Sequence, residues 1–371
     1  MRWAGWAFLI IVVIFLAWLI GTSLNNQAEE TYTIGSIQAL TSDMASIANR
    51  VRQGIDLAVE DLNAQPGARI RVLHEDGKCN PPTAIAAYQK LVSVDNIHAL
   101  IGPMCSSAAM AVAPIAEQDR TVMMATVSSA PGLKHSGEYI FRNRVSGGPH
   151  GVQMAEYAYD TLGMRKAAIL YINQDNGVGY RDAFTKRFEE LGGKVLTAQP
   201  YDKGEADYRT PVLKAQQSKP EVLYVGGQQS EMVVKQVREM EWDVPILGTL
   251  GFEVPEMLTV AGKHAEGVLY TNPAFDPESA DPVVATFQAK YEAKYGEKAA
   301  AFDALAYDGA MLVGKALRAC KGESDCMKNY LYKVKDYPGV SGVTTFDEYG
   351  EVAKPLVIKT VRNGEFVLYE P

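Results

Sequence analysis

Hydroxyl side chains gather at two places where this 371-residue chain could grip an anion. One is Ser106-Ser107, behind the turn Gly102-Pro103-Met104-Cys105; the other is Thr126-Val127-Ser128-Ser129. Each follows or closes a short apolar run, HALIG and TVMMATV, that reads as a strand, and the first opens a helical stretch, SSAAMAVAPIAEQ. A helix N-terminus carries unpaired N–H groups and the positive end of the helix dipole, so it binds carboxylates without any basic side chain. A serine at that position also serves as an ordinary helix cap, and both roles stand open for Ser106. Two hydroxyl turns at adjacent strand ends favour a convergent anion site.

Other chemistry finds little to build on. The sequence has no P-loop, no GxSxG elbow and no GxGxxG after its first strand; Gly177-Val178-Gly179 lacks the third glycine and reads as a turn. Glu60-Asp61 and Glu189-Glu190 lie among helical lysines and arginines and read as solvated faces, not acid–base dyads. His74-Glu75-Asp76 ends a strand and reads as a polar strand-end turn. The five histidines are scattered and the four cysteines lack CxxC or Cys/His spacing, so neither a metal nor another cofactor is expected. Nothing assembles a nucleophile, base and oxyanion hole. A binding protein, not an enzyme, is the expectation.

The hydroxyl turns need a frame, and the chain supplies one. From Tyr32, strands TYTIGSI, RIRVL, HALIG and TVMMATV alternate with helical segments, one of them PPTAIAAYQKLVS with proline in its first turn. After FRNR and the Gly147-Gly148 break, AAILYIN, KVLTAQP, EVLYVGG and VPILGT alternate with RDAFTKRFEELGG, RTPVLKAQQ and EMVVKQVREMEW. A helical stretch runs from Pro282 to about Leu331, and VTTFDEYG, PLVIKTV and EFVLYEP read as a β-rich end. Repeated βα units predict an α/β fold with parallel sheets covered by helices on both faces. No Pro- or Ser-rich linker separates the two sets, which fits two doubly wound lobes joined by short crossings, with a ligand in the cleft between them.

Composition narrows the partners. With 36 basic and 44 acidic residues the net charge is −8, which argues against nucleic acid. A 47% hydrophobic, 22% charged chain excludes disorder and a multi-span membrane protein. Trp3 to Ile20 is an uncharged apolar run, long enough as a helix to span about 27 Å. Arg2 precedes it and Glu29-Glu30 follow, an asymmetry that exports the remainder. Residues 1–30 are therefore expected to be a membrane anchor or a removed signal, and no cysteine near the end of the run suggests a lipid anchor. An even cysteine count in an exported chain predicts two disulfides among Cys79, Cys105, Cys320 and Cys326, with three pairings open.

The segments GPMCSSAAMAVAPIAEQ, TVMMATVSSAPGLK and YIFR resemble the branched-chain amino-acid binding family of type I periplasmic binding proteins. The likeness continues through IGSIQALTSD, RQGIDLAVEDLNA, YVGGQQSE, AYDGAMLVGKAL and GVTTFDEYGE, in order, and covers essentially the whole chain after residue 30. It implies two lobes with three crossings, closing by a hinge around a small ligand: residues 31–146 plus about 276–350, and residues 147–275 plus about 351–371. It implies a Cys79–Cys105 pairing, an ABC permease as membrane partner, and an amino acid or related carboxylate or amide as ligand. A receptor signalling to a membrane sensor is the alternative. Carried over by position, Ser106 matches the serine on the ligand carboxylate, Val127 a backbone contact, and Ser129 the hydroxyl holding carboxylate and ammonium, with Ser128 in the same turn. The chain departs from the pattern elsewhere. Ile47 and Asn176 stand at tyrosine positions, with Tyr180 near the latter, and Gln228 replaces an aromatic residue. Leu250 occupies the place of the acid that pairs with ammonium, and Glu253 is the residue that could substitute for it.

Overall fold

The structure, a computed structural model, describes residues 30–370. The apolar run Trp3 to Ile20 lies outside the described residues, and among those described no helix is long and apolar enough to cross a membrane.

Strand β1 (Thr31–Gln38) is buried at every position after its first, as befits a strand covered on both faces. It is followed by α1 (Ala45–Asn63), β2 (Arg69–Asp76), α2 (Pro81–Ser93), β3 (Ala99–Ile101), α3 (Ser106–Gln118), β4 (Val122–Ala125) and β5 (Ile140–Arg142). These five strands pair in parallel in the order β2-β1-β3-β4-β5. As the sequence suggests, α2 opens with proline in its first turn, and the Asn80 side chain accepts a hydrogen bond from the Thr83 amide. The chain then passes to a second body through α4 (Gly147–Glu156), β6 (Lys166–Ile172), α5 (Asp175–Glu190), β7 (Lys194–Tyr201), α6 (Arg209–Gln217), β8 (Val222–Gly226), α7 (Ser230–Glu239), β9 (Ile246–Gly248) and β10 (Leu269–Pro273). It returns to the first body as α8 (Pro282–Tyr295), α9 (Ala301–Cys320), α10 (Ser324–Tyr332) and the small hairpin of β11 (Tyr337–Gly339) and β12 (Gly342–Thr344). A last passage adds β13 (Leu356–Arg362) and β14 (Glu365–Leu368), giving a seven-stranded sheet ordered β14-β13-β10-β9-β8-β6-β7.

Each sheet thus contains a five-stranded parallel unit, the expected α/β architecture. The C-terminal strands depart from the expectation: β13 pairs antiparallel with β10, and β14 antiparallel with β13. Of the segment VTTFDEYG only its start joins a strand; the Asp347 carboxylate accepts from the amides of Tyr349 and Glu351 and curls the rest into a turn. Gly177-Val178-Gly179 is also no turn but lies inside α5. Packing is the reason for those glycines: a Cβ on Gly177 would stand 2.0 Å from the Ile172 carbonyl oxygen, and one on Gly179 would stand 2.6 Å from the Pro131 ring. Pro131 belongs to the first body and Gly179 to the second, so that glycine permits close approach across the gap.

The three passages between the bodies, residues 143–146, 274–281 and 345–355, are tied together. Asn143 donates to the Leu305 carbonyl (3.0 Å) and accepts from the Thr344 hydroxyl (3.3 Å), and the Ala274 amide donates to the Pro355 carbonyl (3.0 Å). Lys354 donates to the Ser341 hydroxyl at 2.7 Å, with the buried Asp308 carboxylate behind it at 3.9 Å. Disulfides join Cys79 to Cys105 and Cys320 to Cys326, with Cα separations of 5.2 and 5.5 Å. The first fastens the segment ahead of α2 to the residue before Ser106.

Helix α9 is buried along most of its length and lies against α1, which is why the late helices belong to the first body. The contact is close: a Cβ on Gly54 would stand 2.3 Å from the Asp303 carbonyl oxygen. Arg50 binds the buried Asp303 carboxylate at 3.0 Å and the Tyr291 hydroxyl donates to it at 2.6 Å, so the contact cannot slide without leaving a charge unpaired. Gly54→Ala is expected to force the helices apart and cost about 1–3 kcal/mol in urea unfolding. Gly148→Ala, whose added methyl meets nothing nearer than 4.0 Å, is expected to cost nothing. Equal stability of the two variants would refute the close-contact account.

Candidate functional site

In a parallel sheet every strand ends at the same edge, and here the two parallel units present those edges to one shared cavity. Asp43 and Ile47 line it after β1, Ser106 after β3, Val127 and Ser129 after β4, and Arg144 after β5. From the second body come Asn176 and Tyr180 after β6, Gln228 and Glu231 after β8, and Thr249, Gly251 and Glu256 after β9. Phe302, at the start of α9, completes the wall.

Ser106 is not the cap of its helix. Cys105 holds the cap position with extended backbone angles, and no side chain caps the helix. The Ser106 oxygen instead accepts from the Ser129 amide (3.3 Å) and the Ser128 hydroxyl (3.2 Å). With two donors already on its oxygen, the Ser106 hydroxyl has its own proton left to give. It sits at the first turn of α3, whose opening amides precede the first intrahelical bond, Ala109 N–H to Cys105 carbonyl at 2.8 Å.

A second chain of bonds enters from Arg144. The guanidinium can only donate, and it does so to the Val127 carbonyl and, at 3.0 Å, to the Tyr180 hydroxyl. Tyr180 passes its proton direction on, donating at 3.0 Å to Ser129 Oγ. The Ser129 hydroxyl proton is then free in its turn. Both sequences of bonds end on hydroxyls that line the cavity with a proton to give, so this wall offers donors and a positive charge. Burial pulls the Arg144 guanidinium below its ordinary value, yet arginine remains a cation at any working pH.

The lining also carries acids. Glu231 and Glu256 face the cavity from the second body; Asp43 faces it from the first, paired with Lys203 at 2.8 Å and accepting from Gln229 at 3.2 Å. Those two contacts and the Tyr180 bonds to Ser129 and Arg144 all join one body to the other.

The residues expected from sequence separate into three groups. Ser106, Val127, Ser129, Asn176 and Gln228 line the cavity, as do Ile47 and Tyr180. Ser128 does not line it but supports Ser106 from behind. Leu250 and Glu253 are turned away. Leu250 is wholly buried in the core, and Glu253 binds Lys359 at 2.7 Å and accepts from Tyr270 and Asn272, each at 2.8 Å. Glu253, the residue that could substitute for the missing acid, has its carboxylate held inside the second body. Arg144, Glu231 and Phe302 were not singled out by sequence. The signal for Arg144 was present: a charged residue two positions beyond the end of a parallel strand, in FRNR.

The sequence pattern described as periplasmic binding protein matches residues 31–365. The Leu/Ile/Val-binding protein of Escherichia coli (strain K12) is 26% identical over 346 residues, covering 91% of this chain and 92% of its own. Among solved structures, a leucine binding protein, LivK, from Thermotoga maritima superposes with a TM-score of 0.86 at 26% identity, over 91% of this chain and 98% of that one. LivJ of Streptococcus pneumoniae, a branched-chain amino acid transporter substrate binding protein in complex with isoleucine, gives a TM-score of 0.84 at 25% identity, over 92% of this chain and all of that one (100%).

Burial raises the Glu231 carboxyl above its ordinary 4.5, and the neighbouring Glu256 and Asp43 push the same way. The folded chain therefore keeps a proton that the unfolded chain has released, so stability falls as pH rises from about 4.5 through the raised value. Glu231→Gln is expected to remove that decline: its melting temperature should exceed that of the wild type at pH 7 and converge with it below pH 4.5. Parallel melting curves across that range would contradict the account.

Proposed function

The chain belongs to the periplasmic binding protein family, and on that premise we propose that it is the extracytoplasmic solute receptor of an ABC-type importer. Its ligand is an amino acid or a related small carboxylate or amide. The observation that carries the reading is the donor wall of the cavity, where the Ser106 and Ser129 hydroxyls and the start of α3 converge between two bodies. The relatives are named for leucine, isoleucine and valine, or hold isoleucine, all small carboxylates.

In this reading the moving bodies are residues 31–146 with about 276–350, and residues 147–275 with the remainder. Solute docks on the hydroxyl turns of the first body in the open form. The second then swings in about the three passages, bringing Tyr180 onto Ser129 and Arg144, and Lys203 onto Asp43. Ligand drives that closure only to the extent that it binds the closed form more tightly. The membrane permease then reads the closed form. The apolar run Trp3 to Ile20 either anchors the receptor to the outer face of the membrane or serves as its export signal.

Ser106→Ala is expected to weaken solute binding by about 1–3 kcal/mol, the scale of a charge-assisted hydrogen bond, in titration calorimetry. Small-angle scattering should show the wild type contracting when solute is added. Unchanged affinity together with an unchanged radius of gyration would overturn the proposal.

A further inference from the structure

The buried cations of this protein can be compared one by one. Arg142 faces Glu351, Lys359 faces Glu253 at 2.7 Å, and Lys354 has Asp308 at 3.9 Å. Arg144 is different. It is only 5% exposed and lies on the cavity wall, and no carboxylate lies within 4.0 Å of it among the described residues. Two of its nitrogens are bonded, to Val127 and Tyr180, while its Nε is buried with no partner. A buried charge without a counter-charge is costly to keep, so a position like this calls for an anion from outside the chain.

The same geometry sets a fixed cation beside the place an α-ammonium would take. In an α-amino acid the amine stands beside the carboxylate, so it must find acceptors next to the hydroxyl turns. The Val127 carbonyl and the Ser129 oxygen each already accept one bond, from Arg144 and Tyr180, and the Ser106 oxygen accepts two, so beside these turns an ammonium finds only one uncharged lone pair on each of the first two. Leu250 is apolar and buried, and Glu253 is held by Lys359. An α-ammonium placed here would meet donors and the fixed guanidinium. Asn176, 5% exposed and with its Oδ1 unpartnered, and Glu231 and Glu256 line the cavity from the second body and Asp43 from the first, where they can receive donors from the ligand.

We infer that Arg144 is a specificity-determining residue of the cleft: its guanidinium binds the ligand's carboxylate and repels an adjacent amine, so the solute is a carboxylate without an α-amino group. This rests on the solute-receptor reading and names the chemical class that the receptor takes.

The test uses the full chain purified in mild detergent, with thermal shift and titration calorimetry against matched triplets. Each triplet is a carboxylate, its α-amino acid and its neutral amide: 4-methylpentanoate, leucine and 4-methylpentanamide, and the equivalent sets for shorter aliphatic and aromatic acids. In the wild type the acid is expected to bind at least about tenfold more tightly than its amino acid or amide. Arg144→Gln is expected to lose at least about tenfold for the acid and much less for the amide. Arg144→Lys, which keeps the charge, is expected to keep the preference for acid over amino acid, and it serves if the glutamine variant does not fold. An amino acid binding more tightly than its acid, or an Arg144→Gln protein binding the acid as the wild type does, would overturn the inference. Contraction by small-angle scattering separates the two levels. An amino acid that closes the lobes sinks the inference and leaves the receptor reading standing; a panel that neither binds nor closes the protein sinks both.

Discussion

Parallel strands force all their carboxyl ends to one edge, and every functional feature of this protein follows from two such edges being turned toward each other. The sheets themselves carry no chemistry. Their role is to deliver the first few residues after β1, β3, β4 and β5 into the same space as those after β6, β8 and β9. Phe302, at the start of a helix, is the exception among the wall residues discussed. A right-handed crossover then places a helix start near several of these positions, adding its amides to the same wall. The tied passages and the Cys79–Cys105 bond hold that arrangement from the outside.

Within the cavity, polarity is decided by groups that cannot change roles. A guanidinium and a backbone amide donate and never accept, so Arg144 and the Ser129 N–H fix the direction of the bonds through Tyr180, Ser129 and Ser106. Hydroxyls adapt to that direction and end as donors. The resulting wall is specific for acceptors without any residue being dedicated to a single ligand atom. An unpaired buried arginine is a poor contributor to stability, which fits a position kept for binding. Arg142, two residues earlier and equally buried, shows the contrast: Glu351 neutralises it, and the Ala130 carbonyl accepts from it at 2.7 Å, so it serves the framework.

Much of this was legible in the residues. Apolar runs alternating with helical stretches specify the βα units, because burial on both faces leaves a period-free strand that the flanking turns delimit. Serines after strands β3 and β4 were visible as an anion grip for the same reason that the fold was visible. Four features were hidden. The choice between the two roles open to Ser106 was one, because capping depends on where the backbone leaves extended geometry, and it does so at Cys105, one residue earlier. Gly177 and Gly179 looked like a turn since close packing against Ile172 and Pro131 leaves no mark in local sequence. The fate of Glu253 depended on Lys359, more than a hundred positions away on a strand of opposite direction. Arg144 was overlooked for a related reason: a lone arginine after a strand gains meaning only once the acids that should neutralise it are seen to be elsewhere.

The central claim is that the cleft holds an acid through a fixed cation and leaves an α-amine unaccommodated. Its most direct test is chemical identification of what the protein carries when isolated from its native cells. Small molecules released by denaturing the purified chain would be separated and identified by mass spectrometry, with and without an amine-reactive label. The account predicts a carboxylic acid recovered in stoichiometric amount with no α-amino group. Recovery of leucine, isoleucine, valine or any other α-amino acid in that amount would contradict it.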